Sequence, residues 1–154
     1  MTAYFLDSSA LIKRYIPEQG TLWVRSLAVS SAVNSLLVSR ITPVEIISGI
    51  CRRRREGTVT PHVGRAVRIL LTRHLQREYG VIDLTAQVIH RSQDLLEQHP
   101  LRAYDAIQLA SALEGHARLI SAGLAPLIFV SADTRLLAAA SAEGLRTDDP
   151  NGHP

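Results

Sequence analysis

Ala3-Tyr4-Phe5-Leu6-Asp7-Ser8-Ser9, at residues 3–9, is a short apolar run that ends in a carboxylate and two hydroxyls. The four apolar residues predict a buried strand. Ser8 or Ser9 can cap a short helix that ends before Pro17, because hydroxyl side chains satisfy free N–H groups where a helix begins. The stretch therefore predicts the first strand–helix unit of an α/β domain, with Asp7 at the carboxyl end of the strand.

The alternation of strand and helix continues along the chain. Mostly apolar runs predict strands at 36–40, 81–84, 127–130 and 145–147. Helices are predicted at 20–33, 42–55, 60–79, 85–98, 102–118 and 133–143, with Gly80 ending the third of them. Continuous apolar strands indicate a parallel sheet covered on both faces. We therefore expect a three-layer α/β/α fold with a mostly parallel sheet of four to five strands. One domain is expected over residues 1–147, followed by a flexible tail over 148–154.

Four carboxylates stand alone among apolar or small residues, and they are spread along the whole chain: Asp7, Glu45, Asp105 and Asp133. A charge beside a core segment is costly unless it is paired, capped or bound to a metal. Functional groups of an open α/β sheet gather beyond the carboxyl ends of its strands, and all four acids can meet at that edge. Hard divalent cations prefer an oxygen-only pocket of this kind.

Three of these acids also have a structural explanation. Asp7 and Asp133 suit helix N-caps, which favour Asp. Glu45 lies three residues after Thr42, which is the spacing of a capping box. Taken singly, each of the three is better explained by capping than by catalysis.

Asp105 differs, because we expect it beyond the first residues of its helix, where no cap is needed. A buried salt bridge to Arg102 or Arg118 is the structural alternative there. The set of four acids therefore carries more weight than any single member.

The charge is uneven along the chain. Residues 1–77 carry twelve basic and four acidic side chains, whereas residues 78–154 carry five and ten. If four acids bind a metal, 17 basic residues remain against 10 acidic ones. Such a balance suits a polyanionic substrate, and charged helix faces in solvent are the alternative.

The remaining composition excludes several classes of protein. The single cysteine, Cys51, cannot form an internal disulfide and fits a reducing cytoplasm. No apolar run approaches the roughly 20 residues that span a bilayer, and no signal peptide is expected. The six histidines form no i,i+4 pair and no zinc motif with Cys51, which argues against a zinc site.

Four segments together resemble the PIN domains, small metal-dependent ribonucleases, and most of all the VapC-type toxins of toxin–antitoxin pairs. They occur in the family's order and cover the chain from residue 4 to about 147. The segments are Tyr4-Phe5-Leu6-Asp7-Ser8-Ser9-Ala10-Leu11-Ile12-Lys13, Thr42-Pro43-Val44-Glu45-Ile46, Leu101-Arg102-Ala103-Tyr104-Asp105-Ala106-Ile107-Gln108-Leu109-Ala110 and Phe129-Val130-Ser131-Ala132-Asp133-Thr134-Arg135-Leu136-Leu137.

The resemblance implies an endoribonuclease whose four carboxylates are catalytic and bind Mg²⁺ or Mn²⁺. It implies that Ser9 and Ser131 fix the carboxylates by hydrogen bonds, with helix capping as the alternative for both. It also implies an RNA substrate, a small antitoxin that inserts a segment into the cleft, and a homodimer. Gln108 departs from the many relatives with His at this position, and the chemistry is not expected to depend on it.

Arg52 and Arg102 are candidate contacts to RNA. Arg52 lies seven residues after Glu45, nearly on the same helix face and about 10 Å along the axis. Arg102 precedes Asp105 by one turn. Alternatively, these arginines pair with the acids or bind acidic residues of an antitoxin. Tyr104 is expected to pack in the cleft wall rather than to stack on a base.

Two other functions suit an acidic α/β pocket. A catalytically silent PIN fold would be a binding module, although all four acids are present. A phosphoacceptor domain or an aspartyl-phosphate phosphatase usually adds a lysine to its acids. The only lysine, Lys13, follows the first acid inside a helix and lies beside the wrong strand. Metal-dependent RNA cleavage that is lost in Asp7→Asn separates the nuclease from both.

Overall fold

The computed structural model describes residues 1–29 and 33–153, and it confirms the three-layer α/β/α prediction. Five strands form one sheet in the order β3-β2-β1-β4-β5, and every neighbouring pair is parallel. The strands are β1 (Thr2–Leu6), β2 (Asn34–Ser39), β3 (Tyr79–Ile82), β4 (Ile128–Val130) and β5 (Arg146–Asp148). Because β1 is central, the residue that follows it lies in the middle of the carboxyl edge.

Seven helices connect the strands within the described ranges. They are α1 (Ser8–Leu11), α2 (Thr21–Val29), α3 (Thr42–Arg55), α4 (Pro61–Arg77), α5 (Ala86–Gln98), α6 (Ala103–Ser121) and α7 (Thr134–Ala142), with 3-10 turns at Ile12–Arg14 and Pro150–Gly152. The predicted helix at 20–33 is seen as α2 up to Val29, and its predicted end lies outside the described residues. None of these helices is long and apolar enough to cross a bilayer.

The sheet separates two hydrophobic cores. Side chains of β1 alternate between its faces, so Leu6 packs with residues of α1 to α4 and Phe5 packs with residues of α5 to α7. Phe5 stacks on Phe129 of β4 at a centroid distance of 5.8 Å. Both faces are therefore covered, and the site must form at an edge of the sheet.

The prediction that Gly80 ends a helix is wrong. Helix α4 ends at Arg77, and Gly80 lies inside β3, where it pairs with Leu37 of β2. A Cβ atom at Gly80 would stand 2.7 Å from Leu37 Cδ2, so the glycine allows the close approach of that side chain. The strand also begins earlier than predicted, because Tyr79 is buried and pairs with Leu36.

The segment predicted to be a flexible tail makes specific contacts with α2 and the turn before it. Lys13 is 5% exposed, and its Nζ donates to Asn151 Oδ1 at 2.9 Å and to the Gln19 carbonyl oxygen at 3.0 Å. The ring of His153 stacks on Trp23 at a centroid distance of 4.0 Å. Residues 149–153 therefore lie against the body of the domain.

Candidate active site

Asp7 follows the central strand and is only 3% exposed. Its carboxylate caps α1, since Oδ1 accepts from the Ala10 N–H at 2.9 Å. Asp7, rather than Ser8 or Ser9, is therefore the N-cap of the first helix. Burial raises the pKa of Asp7 to about 6, and the charge of Asp105 adds to this, while hydrogen bonds from Ser9, Ala10 and Ser131 act in the opposite direction.

Ser9 and Ser131 both hold Asp7. The Ser9 hydroxyl donates to Oδ1 at 2.7 Å, and the Ser131 hydroxyl donates to Oδ2 at 2.8 Å. Each hydroxyl also accepts a backbone bond, Ser9 from the Ala132 N–H and Ser131 from the Asp133 N–H. These bonds join the loop after β4 to the loop after β1, so the first and the last acid are fixed relative to each other.

Glu45 lies in the first turn of α3 and is half-buried. The predicted capping box is wrong, because the helix begins at Thr42 with Ile41 as N-cap and without a side-chain cap bond. Instead, Glu45 Oε2 accepts a hydrogen bond from Gln108 Nε2. Burial raises the pKa of Glu45 to about 7, the bond from Gln108 lowers it, and the charge of Asp7 raises it.

Asp105 is the third residue of α6, and this position corrects the expectation that no cap is needed there. Its Oδ2 accepts from the Arg102 N–H at 3.3 Å, which satisfies a free donor at the helix start. In the described ranges, neither Arg102 nor Arg118 forms a salt bridge with Asp105; Arg118 pairs with Glu114 instead. Burial raises the pKa of Asp105.

Asp133 follows β4 and caps α7. Its Oδ1 accepts from the Arg135 N–H at 2.9 Å and from the Leu136 N–H at 3.2 Å. Neither capping bond uses the second carboxylate oxygen of Asp133. Capping and membership in the acidic cluster are therefore compatible for this residue.

Each of the four carboxylates is linked to at least one other by charge repulsion. The charge of Asp105 raises the pKa of Asp7, the charges of Asp7 and Asp105 raise that of Glu45, and the charge of Asp133 raises that of Asp105. Acids from four separate elements are therefore brought to one edge of the sheet. A nearby divalent cation relieves this repulsion, because it supplies the opposite charge.

The four carboxylates do not form a closed coordination shell around one metal ion. Within residues 1–29 and 33–153, no three His, Cys, Asp or Glu side chains are arranged to hold one metal ion. Mg²⁺ is commonly held by one or two carboxylates while it keeps several waters. The donor set therefore fits a hydrated hard cation, with Asp7 and its neighbours as the residues that would hold it.

Arg52 shares a groove with Glu45, whereas Arg102 is placed differently. The groove has a volume of about 340 Å³, and Ser8, Arg55 and Tyr104 also line it. Arg102 is exposed at the start of α6, where its backbone binds Asp105. The structure thus places one of the two candidate arginines in the groove that contains Glu45.

Sequence reasoning missed Gln108 as part of this site. The side chain is 1% exposed and donates to Thr42 Oγ1 at 3.0 Å as well as to Glu45. Its position three residues after Asp105 puts both on one helix face, which was the available signal. Thr42, 66 positions earlier, gave no such signal, because only the tertiary fold brings it to Gln108.

Comparisons with known proteins agree with this architecture. The family model described as PIN domain matches residues 4–141. No curated protein matches the chain.

Solved structures with the same fold include VapBC2 from Rickettsia felis bound to a promoter DNA fragment (TM-score 0.64, 12% identity, 96% of this chain and 98% of that chain covered). A toxin–antitoxin complex from Klebsiella pneumoniae is similar with a TM-score of 0.61, 19% identity and coverage of 96% and 97%. Mycobacterium tuberculosis VapC20, described as a sarcin-ricin loop cleaving toxin, is similar with a TM-score of 0.60, 16% identity and coverage of 92% and 95%. By its sequence match and its fold, this chain belongs to the PIN domain family.

Proposed function

We propose that this protein is a metal-dependent endoribonuclease that hydrolyses RNA phosphodiester bonds and acts as the toxin of a type II toxin–antitoxin pair. The observation that carries the proposal is the placement of four acids at the carboxyl edge of the parallel sheet. Asp7 and Asp133 follow β1 and β4 and cap the next helices, while Glu45 and Asp105 lie in the first turns of α3 and α6. Membership in the PIN domain family supports the same chemistry.

The chain's own residues supply binding and orientation. Asp7 is held rigidly by three hydrogen bonds, so it provides a fixed anchor for Mg²⁺ or Mn²⁺. Glu45, Asp105 and Asp133 extend the negative field around that anchor. A bound divalent cation offsets charge on the phosphate and makes a water molecule easier to deprotonate. Arg52 lines the groove beside Glu45, where it would bind a phosphate of the RNA.

Cleavage of a structured RNA by purified protein tests the proposal. We expect cleavage with Mg²⁺ or Mn²⁺, none in EDTA, and a loss of about a hundredfold or more in Asp7→Asn and Glu45→Gln, since removal of charge at a site of transition-state stabilisation has effects of this size. Asp94→Asn is the matched control, because Asp94 lies on α5 beside His90 and outside the cluster. Equal activity in wild type and Asp7→Asn, or cleavage that persists in EDTA, contradicts the proposal.

A small antitoxin is the proposed partner. The Klebsiella structure with this fold is a toxin–antitoxin complex. Apolar side chains on α3 and α4 are available for a partner, since Val44 and Ile69 are both exposed. Co-purification with the product of a neighbouring short gene, together with inhibition of RNA cleavage, tests this pairing. A neighbouring product that neither binds nor inhibits contradicts it.

A homodimer is the proposed assembly, in line with the family. Light scattering on the purified chain should give twice the mass of 16.9 kDa. A monomer over the full range of working concentrations contradicts this part of the proposal and leaves the chemistry untouched.

The phosphoacceptor alternative gains no support from the site. Lys13 is committed to Gln19, Asn151 and Glu18, the last at 3.2 Å from its Nζ. A lysine held in this way does not reach the acids, so the usual partner of an aspartyl-phosphate is missing from the described residues of the site.

A further inference from the structure

Tyr104 is the most exposed of the four tyrosines, with 58% of its surface accessible, and it directly precedes Asp105. Single exposed apolar side chains are common and carry no meaning alone. This ring, however, lies in the concave groove that also contains Glu45 and Arg52. Tyr104 therefore lies in the wall of the cleft, as expected, and 58% of its surface remains accessible beside Glu45.

The charge along the groove changes from acidic at one end to basic at the other. Glu45 lies in the first turn of α3, Arg52 lies about 10 Å further along the axis, and Arg55 lies one turn beyond it. All three line the groove, so one helix face leads from an acidic end to a basic end. An RNA chain with its reacting phosphate near Glu45 and its next phosphates along the basic part of this helix face matches this order of charges.

The two arginines are free to bind such phosphates. Across residues 1–29 and 33–153, no carboxylate lies within ion-pair distance of Arg52 or Arg55, although the neighbouring Arg53 pairs with Glu18 at 3.1 Å. Guanidinium groups without a protein acid are suited to phosphate oxygens, which they bind through two parallel N–H donors.

We propose, on the basis of the nuclease function above, that Tyr104, Arg52 and Arg55 form a subsite for one unpaired nucleotide of the RNA. The tyrosine ring stacks on the base, and the guanidiniums bind the flanking phosphates. A base in a duplex is already stacked on its neighbours, so this subsite selects single-stranded loops or ends over helices. The sequence of the base matters little, because every base has a face that can stack.

Equilibrium binding in EDTA, where no cleavage is expected, tests the subsite. The probes are a labelled oligoadenylate and a ribose-phosphate chain of the same length that has no bases. We expect Tyr104→Leu to weaken binding of oligoadenylate by about tenfold, as the loss of one stacked base does, and to leave the abasic chain unchanged. Tyr104→Phe keeps the ring and should bind both probes like the wild type.

The arginines are tested by the salt dependence of oligoadenylate binding. Each of Arg52→Gln and Arg55→Gln should reduce the slope of log K against log salt by about 0.7, the value for one phosphate contact on a single strand. Arg65→Gln is the matched control, since Arg65 is exposed on α4 outside the groove, and its slope should equal that of wild type.

Three results overturn the proposal: an unchanged affinity of Tyr104→Leu for oligoadenylate, an equal loss for both probes, or slopes unaffected by Arg52→Gln and Arg55→Gln. The nuclease proposal is tested separately, because it depends on cleavage with metal. If Tyr104→Leu still cleaves RNA and binds oligoadenylate like the wild type, only the proposed subsite is rejected. If Tyr104→Leu weakens oligoadenylate binding but the wild type does not cleave RNA with any metal, only the nuclease proposal is rejected.

Discussion

Gln108 connects the interior of the domain to the acidic cluster. It is buried, it bonds to Thr42 on one side, and it donates to Glu45 on the other. Its hydrogen bond favours the charged form of Glu45 and so lowers the pKa of that carboxyl. We infer that Gln108 is a positioning residue, which acts on RNA only through Glu45.

Gln108→Leu should lower kcat for RNA cleavage by about tenfold with little change in KM, because one buried hydrogen bond to a charged group contributes about 1.5–3 kcal/mol. Without its donor, Glu45 holds its proton to higher pH, so the acidic limb of the pH–rate profile should move upward. Gln108→His again places a hydrogen-bond donor near Glu45. It should therefore restore part of kcat and move the acidic limb of the pH–rate profile back toward that of the wild type. If Gln108→Leu lowers kcat but leaves the pH–rate profile unchanged, the role of Gln108 is purely structural.

Single residues also show where sequence reasoning reaches its limit. Asp7 and Asp133 were identifiable because each follows an apolar run. The bond from Gln108 to Thr42 spans 66 positions, and no local pattern encodes it. The cap made by Asp105 was missed because the start of α6 was placed at Arg102, one residue before its first helical residue.

At the scale of elements, the strands and helices were predictable from apolar runs and from turn residues. The helices α3 and α5 were placed within one residue of their observed ends. Gly80 was misread because glycine both ends helices and allows close packing in strands, and only the approach of Leu37 separates the two roles. The order of the strands, β3-β2-β1-β4-β5, was not predicted, because no single segment encodes which strands become neighbours.

The last element belongs to the folded domain, we propose, because Asn151 and His153 contact Lys13 and Trp23. Removal of residues 150–154 should lower the free energy of unfolding by about 1–3 kcal/mol, since a buried lysine loses an acceptor. Asn151→Ala should reproduce part of this loss. Chemical denaturation measures both, and equal stability of the full and shortened chains would support the flexible tail instead.

At the scale of the whole molecule, the acidic edge opposes folding when it is fully charged. The pKa of Asp7 rises from 3.8 to about 6 and that of Glu45 from 4.5 to about 7, so the folded state prefers their protonated forms. The resulting stabilisation is fully present below pH 3.8 and is lost as the pH rises through about 6 to 7.

In metal-free buffer, the stability of wild type relative to Asp7→Asn should therefore fall by up to about 3 kcal/mol between pH 4 and pH 7. The lowered pKa of His74 makes the folded state more stable as the pH rises, which is opposite to the effect of Asp7. Because wild type and Asp7→Asn both contain His74, its contribution cancels in the difference between their stabilities. Denaturant titrations at several pH values measure the difference. A difference that stays constant with pH would show that Asp7 is not desolvated in the folded state.

Mg²⁺ should reverse this loss at neutral pH. A cation at tenfold its dissociation constant stabilises the folded state by about 1.4 kcal/mol, and protonation of the acids should remove the effect at pH 4. Mg²⁺ should stabilise Asp94→Asn as much as the wild type, and it should stabilise Glu45→Gln less. Thermal unfolding with and without Mg²⁺ gives this result without any measurement of RNA cleavage.

The serine bonds that tie the loop after β4 to Asp7 have a consequence for biosynthesis. Ser131 and Asp7 are 124 positions apart, so a ribosome has translated most of the message before their hydroxyl–carboxylate bond can form. A nascent chain already carries Asp7, Glu45 and Asp105 at that stage, yet it still lacks the partner that fixes the first of them. The arrangement of acids at this edge is therefore completed only after the segment that follows β4 has been synthesised.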